Sequence, residues 1–320
     1  MMPKSNFLQK YSLILVVYSL VFVLITVGSI YSERFLTLRN LTNVLRQAAY
    51  LGTAALGEML VILTAGIDLS IGSLVKLSVL VSAILMDGNP DNVIMAVGLT
   101  LALGLGVGLL HAFFINELNL SPFVVTFASL FILQGISLTI TTKPIGRSSK
   151  DFLLLYSQKF FEVPIIVYFF GLVTLLIAFL LNMTVFGKHI YAVGGNPTVA
   201  ELSGIPVKKI RYGVYGICSL LAAVTGLLWL MRMGVGDPVI GKELELNAII
   251  AVVIGGTSLF GGRGTVTGVI GGVLLLTFTD NLLVVLGVNQ FVSGLVKGLI
   301  FVGAVALYKP SKGFYGSSIQ

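Results

Sequence analysis

The sequence predicts an all-α, polytopic membrane protein, and three observations carry that reading. Of its 320 residues 56% are hydrophobic and only 10% are charged, whereas a soluble domain carries about 25% charged residues. So little charge cannot cover a water-facing surface, and lipid removes the need. The apolar residues fall in helix-length runs, and about 20 such residues at 1.5 Å each cross the hydrocarbon. Glycine is also abundant, at 37 residues, where average usage of about 7% would give roughly 22. Gly104 and Gly108, the row Gly264, Gly268 and Gly272, and the pair Gly294 and Gly298 stand four apart. That spacing lets helix backbones approach closely where no hydrophobic force drives association.

Taken in order, the apolar stretches are 11–31, 48–67, 69–87, 93–116, 122–142, 163–183, 212–231, 246–260, 265–286 and 288–308, about ten spans by the length criterion. The first is too long for a signal-peptide core and lacks a small-residue cleavage site, so it reads as a retained anchor. An even number of spans puts both termini on one side. The basic residues lie between the apolar runs, as interfacial anchors do, and not in one patch that would suit nucleic acid. One face takes Lys4, Lys10, Lys188, Lys208, Lys209, Arg211, Arg263, Lys309 and Lys312. The other takes Arg34, Arg39, Arg46, Lys143, Arg147, Lys150, Lys159, Arg232 and Lys242. The two sets balance, so positive-inside counting does not orient the chain. The single cysteine, Cys218, has no partner for a disulfide.

Two stretches are not simple spans. Ser32–Gln47 alternates Phe35, Leu38, Leu41 and Leu45 with Arg34, Arg39 and Arg46, which fits a helix lying on the membrane surface. Gly187–Arg211 is the longest polar stretch on its face. Within it Asn196 can cap a helix and Pro197 can start one. Gly204 and Pro206 then end it after about two turns. Such a helix is either an ordinary capped loop element or a docking knob, since isolated helices this short are marginal unless something packs on them.

The apolar pattern also breaks. Gly66-Ile-Asp-Leu-Ser-Ile-Gly-Ser73 separates two runs, with Gly66 able to end one helix and Asp68 able to cap the next. Gly256-Thr-Ser-Leu-Phe-Gly-Gly262 is a related string, matching at Gly66/Gly256, Leu69/Leu259 and Gly72/Gly262. Gly-interrupted apolar segments in corresponding positions of two halves point to a transport pathway. The run from Leu246 to Ser258 covers only about 20 Å as a helix, so a broken or tilted element lining a cavity is expected. The ionisable residues inside apolar runs are Glu58, Lys76, His111, Asp280 and Lys297, functional candidates by default. Asp280 is a candidate partner for Lys297, and His111 reads as structural. None sits at metal-ligand spacing. The chain has no GxxxxGK[ST] loop, nucleophile elbow or paired-carboxylate arrangement, which argues against an ATPase or a membrane enzyme.

At these residues the chain resembles the ribose-type permease subunits of bacterial ATP-binding-cassette (ABC) importers. Three strings carry the likeness: Leu60–Ser73, Tyr191–Ile205 and, most specifically, Asn247–Thr265. Their order fits the family from about residue 40 to 308. Lys76, where the family is apolar or small, and the brief tail after Lys309 depart from it. The resemblance implies one transmembrane permease domain over 1–320, a ribose-permease-like (type II-like) bundle, in the bacterial plasma (inner) membrane. It implies a second permease copy or paralogue, separate ATPase subunits that use ATP and Mg, and an extracytoplasmic binding protein delivering a monosaccharide. This chain itself is then non-catalytic and binds no cofactor. Gly195, Asn196, Pro197, Ala200, Glu201, Leu202, Ser203 and Gly204 become the ATPase-coupling element, within a loop of about 187–211. That places the loop and both termini in the cytoplasm. Asp68, Ser70, Ser73, Asn247, Thr257 and Ser258, in and beside the two breaks, become the expected lining of the path. The alternatives are a nucleoside or branched-chain amino-acid permease of the same kind and, from another class, an ion-coupled sugar carrier.

Overall fold

The computed structural model describes residues 7–307. The chain ends, with Lys4, Lys309 and Lys312, lie outside the described residues. Thirteen α-helices run in order among those residues: α1 Phe7–Tyr31, α2 Leu38–Leu63, α3 Ile71–Met86, α4 Val93–Glu117, α5 Pro122–Ile140, α6 Lys150–Ser157, α7 Ile165–Met183, α8 Val185–Gly195, α9 Pro197–Leu202, α10 Val207–Met233, α11 Leu244–Ile254, α12 Val266–Val285 and α13 Gln290–Leu307. Among the described residues a short ribbon, Lys159–Phe160 with Val163–Pro164, is the only strand pairing besides an isolated bridge between Ile145 and Gly236.

Helices occupy all ten expected stretches. Six of them, α1, α4, α5, α7, α10 and α12, are long and apolar enough to cross a bilayer by length and composition. The helices α3 and α11 have only 16 and 11 residues, about 24 and 16 Å against a core of about 30 Å. The expected surface helix at Ser32–Gln47 does not form as a separate element. Thr37 caps Asn40 N at 3.4 Å, and no breaker follows, so Leu38–Gln47 becomes the first part of α2. Gly28 lies under the buried Phe35 ring, which turns the chain back at that point.

Burial sorts the helices. From Ala48 to Leu63 every residue of α2 is buried, and α10 packs against α2, α3 and α4. A helix apolar on all sides belongs at the centre of such a bundle. By contrast α4, α5 and α7 leave large apolar side chains such as Phe131, Leu172 and Phe179 outside, as lipid-facing helices do. The glycine rows explain the closeness. A Cβ at Gly104 or Gly108 would strike the α10 backbone at Ser219 and Tyr215, and one at Gly268 or Gly272 would strike Gly255 and Ala251. Gly294 and Gly298 depart from the expectation, since nothing lies within 4 Å of a Cβ at either.

Several polar groups inside the bundle are paired. Asn40 and Asn281 exchange two amide hydrogen bonds, both 2.8 Å, tying α2 to α12. Lys297 meets Asp280 at 2.9 Å, the expected partner, and Ser293 Oγ donates to the same carboxylate. Arg232 lies over the Trp229 ring and Arg46 over Tyr156, at 5.0 and 4.6 Å. That is the anchoring arrangement of cation and aromatic at an interface.

The α4–α10 seam can be tested within one helix. Gly108→Leu should destabilise the bundle by about 1–3 kcal/mol through overpacking, seen as a lower unfolding temperature in detergent. Gly106→Leu, two residues away on the opposite side of the helix and facing open space, should leave that temperature nearly unchanged.

Candidate functional site

The two breaks predicted from glycine are real, and they touch. The first spans Thr64–Ser70 between α2 and α3, and the second spans Gly255–Thr265 between α11 and α12. Each opens with a left-handed residue, Ala65 at φ 61° and Gly256 at φ 88°. The register therefore differs by one from the glycine alignment. Ala65 takes the left-handed turn, while Gly66 stays small because the Tyr215 hydroxyl lies where its Cβ would be. Gly72 and Gly262 are likewise not equivalent, since Gly72 sits in α3 and Gly262 in a turn at φ 69°. The Gly262 N–H donates to the Leu63 carbonyl at 2.9 Å, joining the breaks backbone to backbone. Gly194, near the end of α8, lies against both of these groups with no room for a Cβ. Tyr191 Oη adds a 3.0 Å bond to the Gly264 carbonyl.

A buried polar network holds the first break. Asp68 Oδ1 accepts from Ser70 N at 2.9 Å and from Ser70 Oγ at 2.6 Å. Asp68 thus braces the turn two residues before α3 and does not cap the helix itself. Its own N–H donates to Glu58 Oε1 at 3.2 Å. His111 Nδ1 stands 3.6 Å from Asp68 Oδ2, and His111 Nε2 contacts Ser129 Oγ at 2.8 Å. Thr126 Oγ1 donates to the Ile67 carbonyl at 3.0 Å. One short turn therefore draws on α2, α4 and α5, and Glu58, Asp68 and Ser70 are fully buried. Irregular backbone at membrane depth is tolerated where protein satisfies it in this way.

Beyond α10 the chain folds inward. Gly236 pairs with Ile145 through 2.8 and 2.9 Å bonds and lies beside Ala83, near the far end of α3. Five residues later Gly241 lies on the backbone of Gly72 and Lys76, at the near end. An irregular run thus descends along α3, and α11 continues it, which accounts for the shortness of α11. Lys242, expected on the outer face with Arg232, is carried inward by this run. It leaves a cleft of about 450 Å³ between α3, α5 and the re-entrant run, lined among others by Ser73, Lys76, Gln134, Lys242 and Glu245.

The short helix α9 follows Gly194 directly. Asn196 Oδ1 accepts from Val199 N at 3.1 Å, Pro197 opens the helix, and Gly204 at φ 82° closes it. The surrounding stretch 187–211 is largely helical, with α8 before and α10 after. Ala200 is buried while Gly195, Asn196, Pro197, Glu201, Ser203 and Gly204 are exposed. Leu202 is 85% exposed and Val199 56% exposed, so the tip is apolar.

Of the six residues expected to line a path, Ser73 alone borders the cleft. Asp68 and Ser70 belong to the buried network, and Thr257 and Ser258 are buried in the second break. Asn247 lies half-buried in the first turn of α11. Sequence reasoning missed Gln134 and Glu245. Glu245 lies just outside the apolar stretch taken to begin at 246, and only the inward fold of the preceding residues brings it to α3.

A bundle of lipid-facing helices around interrupted, polar-braced segments is the architecture of a polytopic membrane protein, and similarity to known proteins gives its class. The family described as "Branched-chain amino acid transport system / permease component" matches residues 40–305. The ribose import permease protein RbsC of Escherichia coli (strain K12) is 37% identical over 288 residues, covering 88% of this chain and 89% of that protein. RbsC of Bacillus subtilis (strain 168) is 36% identical over 292 residues, 89% of each. The D-allose transport system permease protein AlsC of Escherichia coli (strain K12) is 34% identical over 281 residues, 88% of this chain and 86% of that protein. No solved structure matches. The chain belongs to this family of permease components, in its ribose-type ABC branch, and is a multi-pass protein of the inner membrane.

Asp68→Ala would strand Ser70, the Ser70 N–H and His111 together. It should destabilise the folded protein by about 3 kcal/mol, as removing one partner of a buried charged group does. Ser70→Ala should cost about 1 kcal/mol, and chemical unfolding in detergent should reproduce that order.

Proposed function

We propose that this chain is the membrane-spanning subunit of an ATP-driven monosaccharide importer and that α9 is where the ATPase acts on it. The observation that carries the reading is the attachment of α9. Its exposed apolar tip at Val199 and Leu202 stands five and eight residues beyond Gly194, which lies against both helix breaks. A force on that tip is delivered to the backbone of both interrupted segments. A short helix held to the bundle through the buried Ala200, with its apolar tip left uncovered, is what a groove on another protein would accept.

In this reading ATP and Mg are used by separate ATPase subunits, and this chain binds neither. The Gly195–Gly204 turn and both termini face the cytoplasm. A binding protein delivers the sugar from outside to a pair of permeases, this chain with a second copy or a paralogue. The pull on α9 alters the angle between α2 and α3 and between α11 and α12, and so opens the path inward. The names of the relatives, importers of ribose and of D-allose, support a monosaccharide. The family's description supports a branched-chain amino acid as the second reading, and parallel uptake of labelled ribose and labelled leucine distinguishes the two.

Leu202→Asp and Glu201→Lys should each leave membrane insertion intact. In the reconstituted complex each should lower substrate-stimulated ATP hydrolysis and uptake together, by about tenfold, the equivalent of roughly 1.4 kcal/mol of lost interface contact. Stimulated hydrolysis at the parental rate in both variants would place coupling elsewhere.

A further inference from the structure

Lys76 and Glu245 border the same cleft. Glu245 belongs to the first turn of α11, and its carboxylate lies over Gly72, where a Cβ would overlap it. Lys76 is one turn along α3 from Gly72, on the same helix face. Both border the 450 Å³ cleft, and both are half-buried. Among the described residues neither is in a salt bridge, whereas Lys297 and Asp280 are joined at 2.9 Å. Two opposite charges about one turn apart along α3, not closed into an ion pair, with Gln134 and Ser73 beside them, form a bipolar chamber. Lys242 and Glu243, exposed on the re-entrant run, add one further charge of each sign, so the lining carries no net charge.

We infer that Lys76 and Glu245 are specificity-determining residues that fit this cleft to neutral, polyhydroxylated solutes. The inference rests on the importer reading above and adds a filter within the membrane. An ammonium offers only donors and a carboxylate only acceptors. A sugar hydroxyl is both, so one neutral ring can satisfy both groups at once. An anionic sugar would gain at Lys76 and lose at Glu245, and a cationic one the reverse. Carboxylated, phosphorylated and amino sugars are disfavoured alike. The two residues do this only as a pair, because either alone would give the chamber a net sign.

The test reads the sign of the chamber without relying on substrate. In the reconstituted transporter, Cys218→Ala removes the sole native cysteine and Gln134→Cys places a thiol on the wall. Modification rates are then compared for cationic and anionic methanethiosulfonates of similar size. In this background the two rates should lie within a few-fold of one another. Adding Lys76→Met should shift the ratio about tenfold toward the cationic reagent, and adding Glu245→Gln about tenfold toward the anionic one, the low end of the ion enrichment that charged clefts produce. The double replacement should return the ratio to its starting value. A ratio unmoved by either single replacement overturns the inference. So does a thiol that neither reagent reaches until the protein is unfolded. Uptake of labelled neutral sugar by the unaltered complex is measured in parallel. No uptake there would count against the importer reading, whatever the labelling ratio shows.

Discussion

The hydrogen bond from Gly262 N to the Leu63 carbonyl ties main chain of the second break to the last residue of α2, where the first break begins. It forms only because Gly194, Gly261 and Gly262 have no side chains to hold the three segments apart. Where helices meet through side chains, their spacing can adjust by a rotamer. At this junction the backbones are in direct contact, so a displacement of α8 cannot be absorbed and must be passed on. The first break, the second break and the root of α9 therefore act as one mechanical unit. The rest of the bundle is arranged around that unit.

That arrangement explains features that would otherwise be expensive in lipid. Non-helical backbone at membrane depth needs protein partners, and both breaks have them. Asp68, Glu58, His111 and Thr126 brace the first, and Tyr191 with the Gly268–Gly255 contact steadies the second. The re-entrant run before α11 is tolerated on different terms. One side lies on α3 through Gly241, and the other lines a polar cleft. A helix that starts midway, such as α11, is how the chain places Glu245 beside Lys76.

Much of this was legible in the sequence because it rests on local chemistry. Apolar length located the helices, and Asn196-Pro197 with Gly204 announced α9 and its cap. The Gly104–Gly108 spacing announced a close helix pair, and Lys297 found Asp280 as expected. What was not legible depends on where segments return in space. Gly66 looked like the helix stop, yet the left-handed residue is Ala65, because Tyr215 from α10 claims the space beside Gly66. Asp68 looked like a helix cap and a path residue. It is instead committed to Ser70 and His111, a choice made by α4 packing behind it. Ser32–Gln47 has surface-helix periodicity, but nothing between Thr37 and Leu63 interrupts the helix, so it continues inward. The inward fold at 234–243 left no periodic trace at all. Its consequence, an acid and a base beside one another, could be seen only once Gly241 lay on Gly72.

The central claim is that α9 and the two breaks move as one body. Pulsed electron paramagnetic resonance on the reconstituted complex addresses it, with spin labels at Leu202 in α9 and Phe260 in the second break, both exposed. A second pair joins Leu202 to Ile94, exposed near the start of α4. The account predicts that the Leu202–Phe260 distance distribution stays the same in nucleotide-free and ATP-bound states while the Leu202–Ile94 distribution shifts. A Leu202–Phe260 distance that changes as much as the other would contradict it, because α9 would then be moving independently of the breaks it is meant to drive.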